Sequence, residues 1–286
     1  MKIMKKKKLK LFNISKKVIL VALVASVIFG VILVIFMILG RQNNRLEFIF
    51  MDVGQGDSTL IKTPGGQMVL IDGGPDNKVL RGLGKNLPFY RRRIDFLIIS
   101  HYHDDHIIGL IEIIKRYRVG ILIYSEKDID SLLVFELLRV ASQYKVELKT
   151  LDSQAVLSLG PACDLNLLNP VILGVKENPN NSIISRLDCA DRRFLLAGDN
   201  GSDVEKALVE SGWPLGADIF KASHHGSNTS NSTAFLEKIN PYLVVISVGA
   251  DNRFGHPGIF FLDRAAALDI PVKRTDNEGD IKIFTK

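Results

Sequence analysis

The chain has 286 residues, nearly half of them hydrophobic, with 37 Lys and Arg against 31 Asp and Glu side chains and a formal net charge of +6. Eight lysines and no acidic residue fall in residues 1–40, which leaves 29 basic against 31 acidic groups beyond them, a net of −2. The basic balance therefore belongs to the N-terminus and gives no case for a globally basic, nucleic-acid-binding domain. Two cysteines, Cys163 and Cys189, are too few for a disulfide scaffold; each sits in an apolar stretch as a small buried residue or as half of one bridge.

Residues 1–17 form a basic tail, and residues 18–40 form an uncharged run rich in Val, Ile, Leu and Phe. At about 1.5 Å per residue this run spans a hydrocarbon core of about 30 Å. It is longer than the usual apolar region of a signal peptide, so an uncleaved anchor is expected. Positive charge on its N-terminal side alone puts the tail in the cytoplasm and the rest outside. One span excludes a channel or a transporter. A linker at 41–45 leads to a domain at 46–286. Strands are expected at 46–52, 58–62, 67–71 and 96–100, separated by Gly-rich turns. Helical spacing follows at 107–117, then a strand at 121–124, a helix at 131–143 and a strand at 146–150. The second half repeats the alternation. It has strands at 155–159 and 164–168, a hairpin at 182–197, a helix from 202 begun by a Ser202/Glu205 capping box, and strands at 218–222 and 243–248 around a helix at 233–239. A helix at 259–268 and strands at 271–274 and 280–284 close the chain. Arg91, Arg92 and Arg93, with Lys85, are the dense basic cluster outside the tail and read as a solvated loop. Two strand-rich halves, each followed by helices, predict an α/β fold with two packed sheets and helices outside.

The chemistry concentrates in His101-Tyr-His-Asp-Asp-His106, three imidazoles and two carboxylates within six residues, placed after a buried strand. Open α/β sheets carry their sites at such strand ends. Imidazole and carboxylate are ligands for zinc, manganese and iron, and so many titratable groups are costly to pack without a cation. The other three histidines, His224, His225 and His256, and Asp199 also follow expected strands. No Ser-His-Asp arrangement or phosphate loop competes for the chemistry; Asp72-Gly-Gly-Pro75 lacks the Lys-Ser/Thr of such a loop.

The string His-x-His-x-Asp-His resembles the signature of the metallo-β-lactamase fold superfamily. Phe50–Asp57, Leu70–Gly74, His101–His106, Leu195–Asp199, Lys221–Ser227 and Gly255–Pro257, in that order, resemble more narrowly the soluble hydrolase domain of ComEC-type DNA-uptake proteins. The resemblance implies a four-layer αββα sandwich holding one or two divalent ions, Zn²⁺ or Mn²⁺. It implies His101 and His103 for one ion, Asp105 and His106 for the other, Asp199 as bridge and His224 completing the second site. Asp72 would orient the metal loop, or serve as a plain turn former. No His stands between His106 and His224; Asn181 or Ser182 takes the place of a third histidine, or the first site is open and a single ion serves. His225, Ser227, Asn228 and His256 would line the rim, with His225 as ligand, general acid or phosphate donor and Asp105 orienting the nucleophile. Gln55, Gly56 and Asp57 would pack beneath the site or form a structural turn.

The activity implied is that of a membrane-anchored extracytoplasmic phosphodiesterase or nuclease acting on DNA, with a separate DNA-uptake channel as partner. The alternatives are a cell-envelope phosphoesterase, such as a phosphorylcholine esterase, and a non-catalytic DNA-binding partner of an uptake channel. The fold alone does not choose among them.

Overall fold

The computed structural model describes residues 16–40, 45–126 and 131–285. The basic tail up to residue 15 and the linker at 41–44 lie outside the described residues. The chain divides into two compact units, Met1–Gln42 and Asn43–Lys286.

In the first unit, helix α1 covers Lys16–Gly40. Its apolar side chains from Val18 to Phe36 are exposed along its length. A uniformly apolar helix with no buried face has nothing in water to pack against. It is long and apolar enough to cross a membrane, by length and composition.

The second unit is built from two seven-stranded sheets. The first half supplies β1 (Glu47–Phe50), β2 (Thr59–Lys62), β3 (Met68–Ile71), α2 (Lys78–Asn86), β4 (Arg93–Ile98), α3 (Asp104–Arg116), β5 (Arg118–Tyr124), α4 (Leu132–Gln143) and β6 (Glu147–Thr150). The second half supplies β7 (Gln154–Ser158), β8 (Cys163–Leu168), β9 (Ile184–Cys189), β10 (Arg192–Leu196), α5 (Ser202–Ser211), β11 (Ile219–Lys221), α6 (Thr233–Ile239), β12 (Leu243–Ile246), α7 (Ile259–Ala267), β13 (Val272–Arg274) and α8 (Thr275–Glu278). The last strand, β14 (Ile281–Phe284), returns to the first sheet beside β1. The orders are β14-β1-β2-β3-β4-β5-β6 and β13-β12-β11-β10-β9-β8-β7. Each half begins with antiparallel hairpins and ends in parallel strands joined through helices, so the topology repeats although the sequence does not.

Alternation along the strands explains the layers. Phe48 and Phe50 of β1 point between the sheets, where Phe48 stacks on Phe194 of β10 with ring centroids 4.0 Å apart. Ile49 points the other way, with Leu70 and Leu97, onto α2, α3 and α4. Leu195, Phe220 and Val244 cover the outer face of the second sheet under α5, α6 and α7. Three apolar cores separated by two sheets make the four-layer αββα sandwich. Cys163 and Cys189, directly opposite each other on β8 and β9, form a disulfide in the central core.

Three local expectations are corrected. Helix α2 lies between the third and fourth strands, where none was expected; it buries Val79 and Leu83 under the first sheet. Helix α3 begins at Asp104, inside the histidine string rather than after it, with His103 as its N-cap residue. Ser202 and Glu205 form no capping box: the N-cap is Gly201 without a side-chain bond, and the buried Glu205 carboxylate instead accepts from the backbone N–H groups of Asn231 and Ser232 at the start of α6. A carboxylate facing the free N–H groups of another helix is favoured by charge as well as by hydrogen bonding. Of the basic cluster, Arg91 donates to the Gly66 carbonyl and Arg93 pairs with Asp95, which leaves Arg92 solvated.

Candidate metal centre

The site lies at the C-terminal ends of strands from both sheets. Asp72 follows β3, Ser100 to His106 follow β4, Asp199 follows β10, the turn Ser223–Gly226 follows β11, and Ser247 follows β12. Parallel strands put these five loops on one edge.

The orienting bonds come first. Asp72, at φ 60°, accepts from Ser100 N at 2.8 Å, from Ser100 Oγ at 2.6 Å and from His106 Nδ1 at 2.8 Å. Ser100 Oγ lies 3.1 Å from His101 Nδ1 and, having given its own proton to Asp72, accepts the imidazole's. His225 Nδ1 donates to the Ser247 carbonyl at 2.9 Å. In all three buried histidines Nδ1 is thereby engaged, so that Nε2 is the ring nitrogen turned into the site. The Nε2 atoms of His101, His106 and His225, and Asp199 Oδ1, are buried without any hydrogen-bond partner.

These orphaned atoms converge. Asp199 Oδ2 lies 3.7 Å from His101 Nε2, 3.8 Å from His224 Nε2 and 3.6 Å from His225 Nε2, and its Oδ1 lies 3.5 Å from His106 Nε2. His225 Nε2 is 3.2 Å from Asp105 Oδ2, and His106 Nε2 is 3.9 Å from Asp105 Oδ1. Ligands about 2.0–2.2 Å from a tetrahedral ion stand roughly 3.4 Å apart, so the donor set fits divalent cations. Among the described residues, four triads have ligand atoms within 4.8 Å of one another, and the two that open on the pocket side are His101, His106 and Asp199, and Asp105, His106 and His225.

His225 is buried and faces Asp105, whereas the His224 side chain is 26% exposed and touches the cluster through Asp199. Both have positive φ, 50° and 51°, and this tight double turn aims the second ring inward. His103 packs edge-on to His101, with ring centroids 4.6 Å apart, and lines the pocket mouth with His224. Asn181 and Ser182 do not stand among the converging donors. The Asn181 amide donates to the Lys176 carbonyl, and Ser182 Oγ accepts from Asp199 N and donates to the Asn180 carbonyl, so Ser182 holds the Asp199 loop from below. Ser227 closes its own turn with Thr229, and Asn228 Oδ1 accepts from Phe260 N in the first turn of α7.

Sequence reasoning missed Lys221. It is buried beneath the site, forms an ion pair with Asp57, and the two line a cavity of about 10 Å³ between the sheets. Asp57 also lies 3.4 Å from His225 Nδ1. Gln55 stands on the pocket wall rather than underneath; its Oε1 accepts from Gly249 N and its Nε2 has no partner. Phe254, one residue before the Gly255-His-Pro string, lines the same pocket of about 150 Å³.

Electrostatics follow the geometry. Burial opposes charge on His106 and His225, but Asp199, with Asp72 beside the first and Asp57 beside the second, outweighs it. His106 is raised well above the ordinary imidazole range and His225 to about 9. His101 is held well below that range, by burial and then by its charged neighbour His106. His256 is pushed down to about 4 by burial and by the charges of His225 and His224. Asp199 stays well below the carboxylate range because the surrounding imidazoles outweigh its burial.

The metallo-β-lactamase superfamily model matches residues 51–146. The chain is 25% identical over 253 residues to ComE operon protein 3 of Bacillus subtilis, and 28% identical over 241 residues to competence protein ComA of Neisseria gonorrhoeae. These alignments cover 82% and 84% of this chain but 32% of each relative, so the chain spans about a third of their length. Among solved structures, the metallo-β-lactamase fold protein YhfI of Bacillus subtilis aligns with a TM-score of 0.59 at 12% identity, over 83% of this chain and all of that one. A diphosphatase of the PhnP family aligns with a TM-score of 0.53 at 17% identity, over 84% of this chain and 98% of that one. The chain has the metallo-β-lactamase fold and is similar to a stretch of about a third of each of the two competence proteins.

Proposed function

We propose that the chain is a membrane-anchored, extracytoplasmic, metal-dependent phosphodiesterase acting on DNA. One observation carries the metal reading: three buried histidines have Nδ1 engaged and Nε2 unpartnered, all within 3.7 Å of the Asp199 carboxylate. Such outer hydrogen bonds fix the tautomer that leaves Nε2 free for a cation. His101, His103, Asp199 and His224 would hold one ion; Asp105, His106, His225 and the shared Asp199 would hold the other. Divalent ions supply the site with acidified water and charge neutralisation at a phosphoryl group.

The chain's own groups do the remaining work. Asp105 is the one carboxylate of the cluster that reaches the pocket with a partly exposed side chain, and it orients the attacking water and takes up its proton. Gln55 lines the same wall, its side chain held by Gly249 N. Likeness to competence proteins supports DNA as the substrate. The apolar helix supports the anchor, and a disulfide supports the oxidising side of the membrane.

The test uses the full chain in detergent, loaded with Mn²⁺ or Zn²⁺ and assayed on single-stranded DNA, bis-p-nitrophenyl phosphate, p-nitrophenyl phosphorylcholine and a β-lactam. DNA cleavage that disappears, together with bound metal, in the His101→Ala/His106→Ala double variant is the expected result. Intact DNA alongside turnover of the phosphorylcholine ester would move the protein to envelope phosphoesterases. Binding of DNA without turnover of any ester would leave it a binding partner.

A further inference from the structure

Among the residues lining the pocket, Phe254 is the single hydrocarbon side chain. Its ring is 54% exposed and lies nearly parallel to the His256 imidazole, 17° between planes with centroids 6.0 Å apart. The Arg253 guanidinium sits 5.1 Å from the same ring centroid. Among the described residues Arg253 makes no ion pair, so its charge is available to a ligand.

The loop that carries them is braced. The Asn252 amide donates to the carbonyls of Gly249 and His256 at 2.9 and 2.7 Å and accepts from His256 N at 2.9 Å. An aromatic ring held at a site mouth by a braced loop loses little freedom on binding. An exposed phenylalanine alone is ordinary. One set on the wall of a metal-type pocket, with a free cation beside it, has a defined ligand chemistry: a flat π-system attached to a phosphate.

We propose that Phe254 and Arg253 form a base-stacking subsite, which takes the unpaired nucleobase next to the phosphodiester being cut. This rests on the phosphodiesterase reading and narrows its substrate to single-stranded nucleic acid or frayed ends. Bases inside a duplex have both faces covered by their neighbours, whereas unpaired bases stack freely on aromatic side chains. Arg253 adds attraction for the flanking phosphate. The same charge works against a phosphorylcholine ester, because a quaternary ammonium seeking the ring would meet a guanidinium already beside it.

The experiment compares two fluorescein-labelled 12-mers of equal charge, oligothymidylate and an abasic tetrahydrofuran backbone, on the full Mn²⁺-loaded chain in detergent. Kd is read by anisotropy, or KM where the strand is cut. Wild-type protein should prefer the base-bearing strand about ten-fold, Phe254→Ala should bring that ratio close to one, and Phe254→Trp should preserve it. Equal affinity of the wild type for both strands overturns the subsite, as does an unchanged ratio in Phe254→Ala. Discrimination without cleavage would sink the hydrolase reading and leave the stacking site standing. Cleavage without discrimination would do the reverse. Turnover of p-nitrophenyl phosphorylcholine with neither strand bound overturns both.

Discussion

Asp72 accepts three hydrogen bonds and holds both Ser100 and His106 in place. Asp72→Ala should therefore leave the chain folded while weakening metal binding about 10–100-fold, read by competition with a chromogenic chelator. Protons compete for the same atoms. His225 titrates near 9 in the ion-free site and His106 is also raised, so both carry protons at neutral pH that a cation must displace. Apparent affinity for Mn²⁺ should thus rise with pH through the neutral range, by about ten-fold per unit or more. Calorimetry in buffers of different ionisation enthalpy should show at least one proton released per ion. A pH-independent affinity would contradict the assignment of His225 as ligand. At this scale the sequence disclosed residue types but not their directions. The chemistry of His224-His225 was legible; which ring turns inward depends on two successive positive-φ residues that neither side chain announces. Lys221 was invisible for a different reason: a buried lysine is read as exposed unless its counter-ion, here 164 positions earlier in Asp57, is known.

The elements carry the site by backbone-to-backbone packing. Gly56, at φ 136°, lies against the first turn of α3, where an added Cβ would fall 2.1 Å from the Asp105 carbonyl oxygen. Asp57 N donates to that same carbonyl. One turn further along α3, a Cβ on Gly109 would meet the Gly73 carbonyl at 2.0 Å. Neither neighbour is a flexible side chain, so α3 must shift. Gly109→Ala should lower unfolding free energy by about 1–3 kcal/mol in urea titrations and cut activity further than stability, because α3 carries Asp105 and His106. Glu205→Ala should cost about 1–3 kcal/mol by leaving two N–H groups of the α6 start without their acceptor. Strand positions were readable because β-branched and apolar runs between Gly-rich turns have few other uses. Helix α2 was not: with two glycines and three basic residues in Lys78–Asn86, its amphipathic stripe is short, and the sheet above it decides its fate. Glu205 suits a capping box in sequence, yet a helix distant in the chain had the stronger claim on its carboxylate.

In the sandwich, the two sheets share one edge of loops, and each supplies part of the His/Asp cluster. The six-residue string exposed the first half plainly. The second half was legible only as scattered Asp and His after strands, and it took the family resemblance to join them. The disulfide between Cys163 and Cys189 closes 26 residues within the second sheet, so Cys163→Ala/Cys189→Ala should lower stability by about 2–4 kcal/mol in denaturant titrations without moving the donors. A further consequence lies in the direction of β1. It runs parallel to β3 and β4, so its start is at the far end of the sheet from the donor loops. Leu46 there exchanges backbone and hydroxyl bonds with Thr285, so entrance and exit of the fold are side by side. Both ends of the fold therefore lie one strand's length, about 15 Å, from the edge that carries the donor loops.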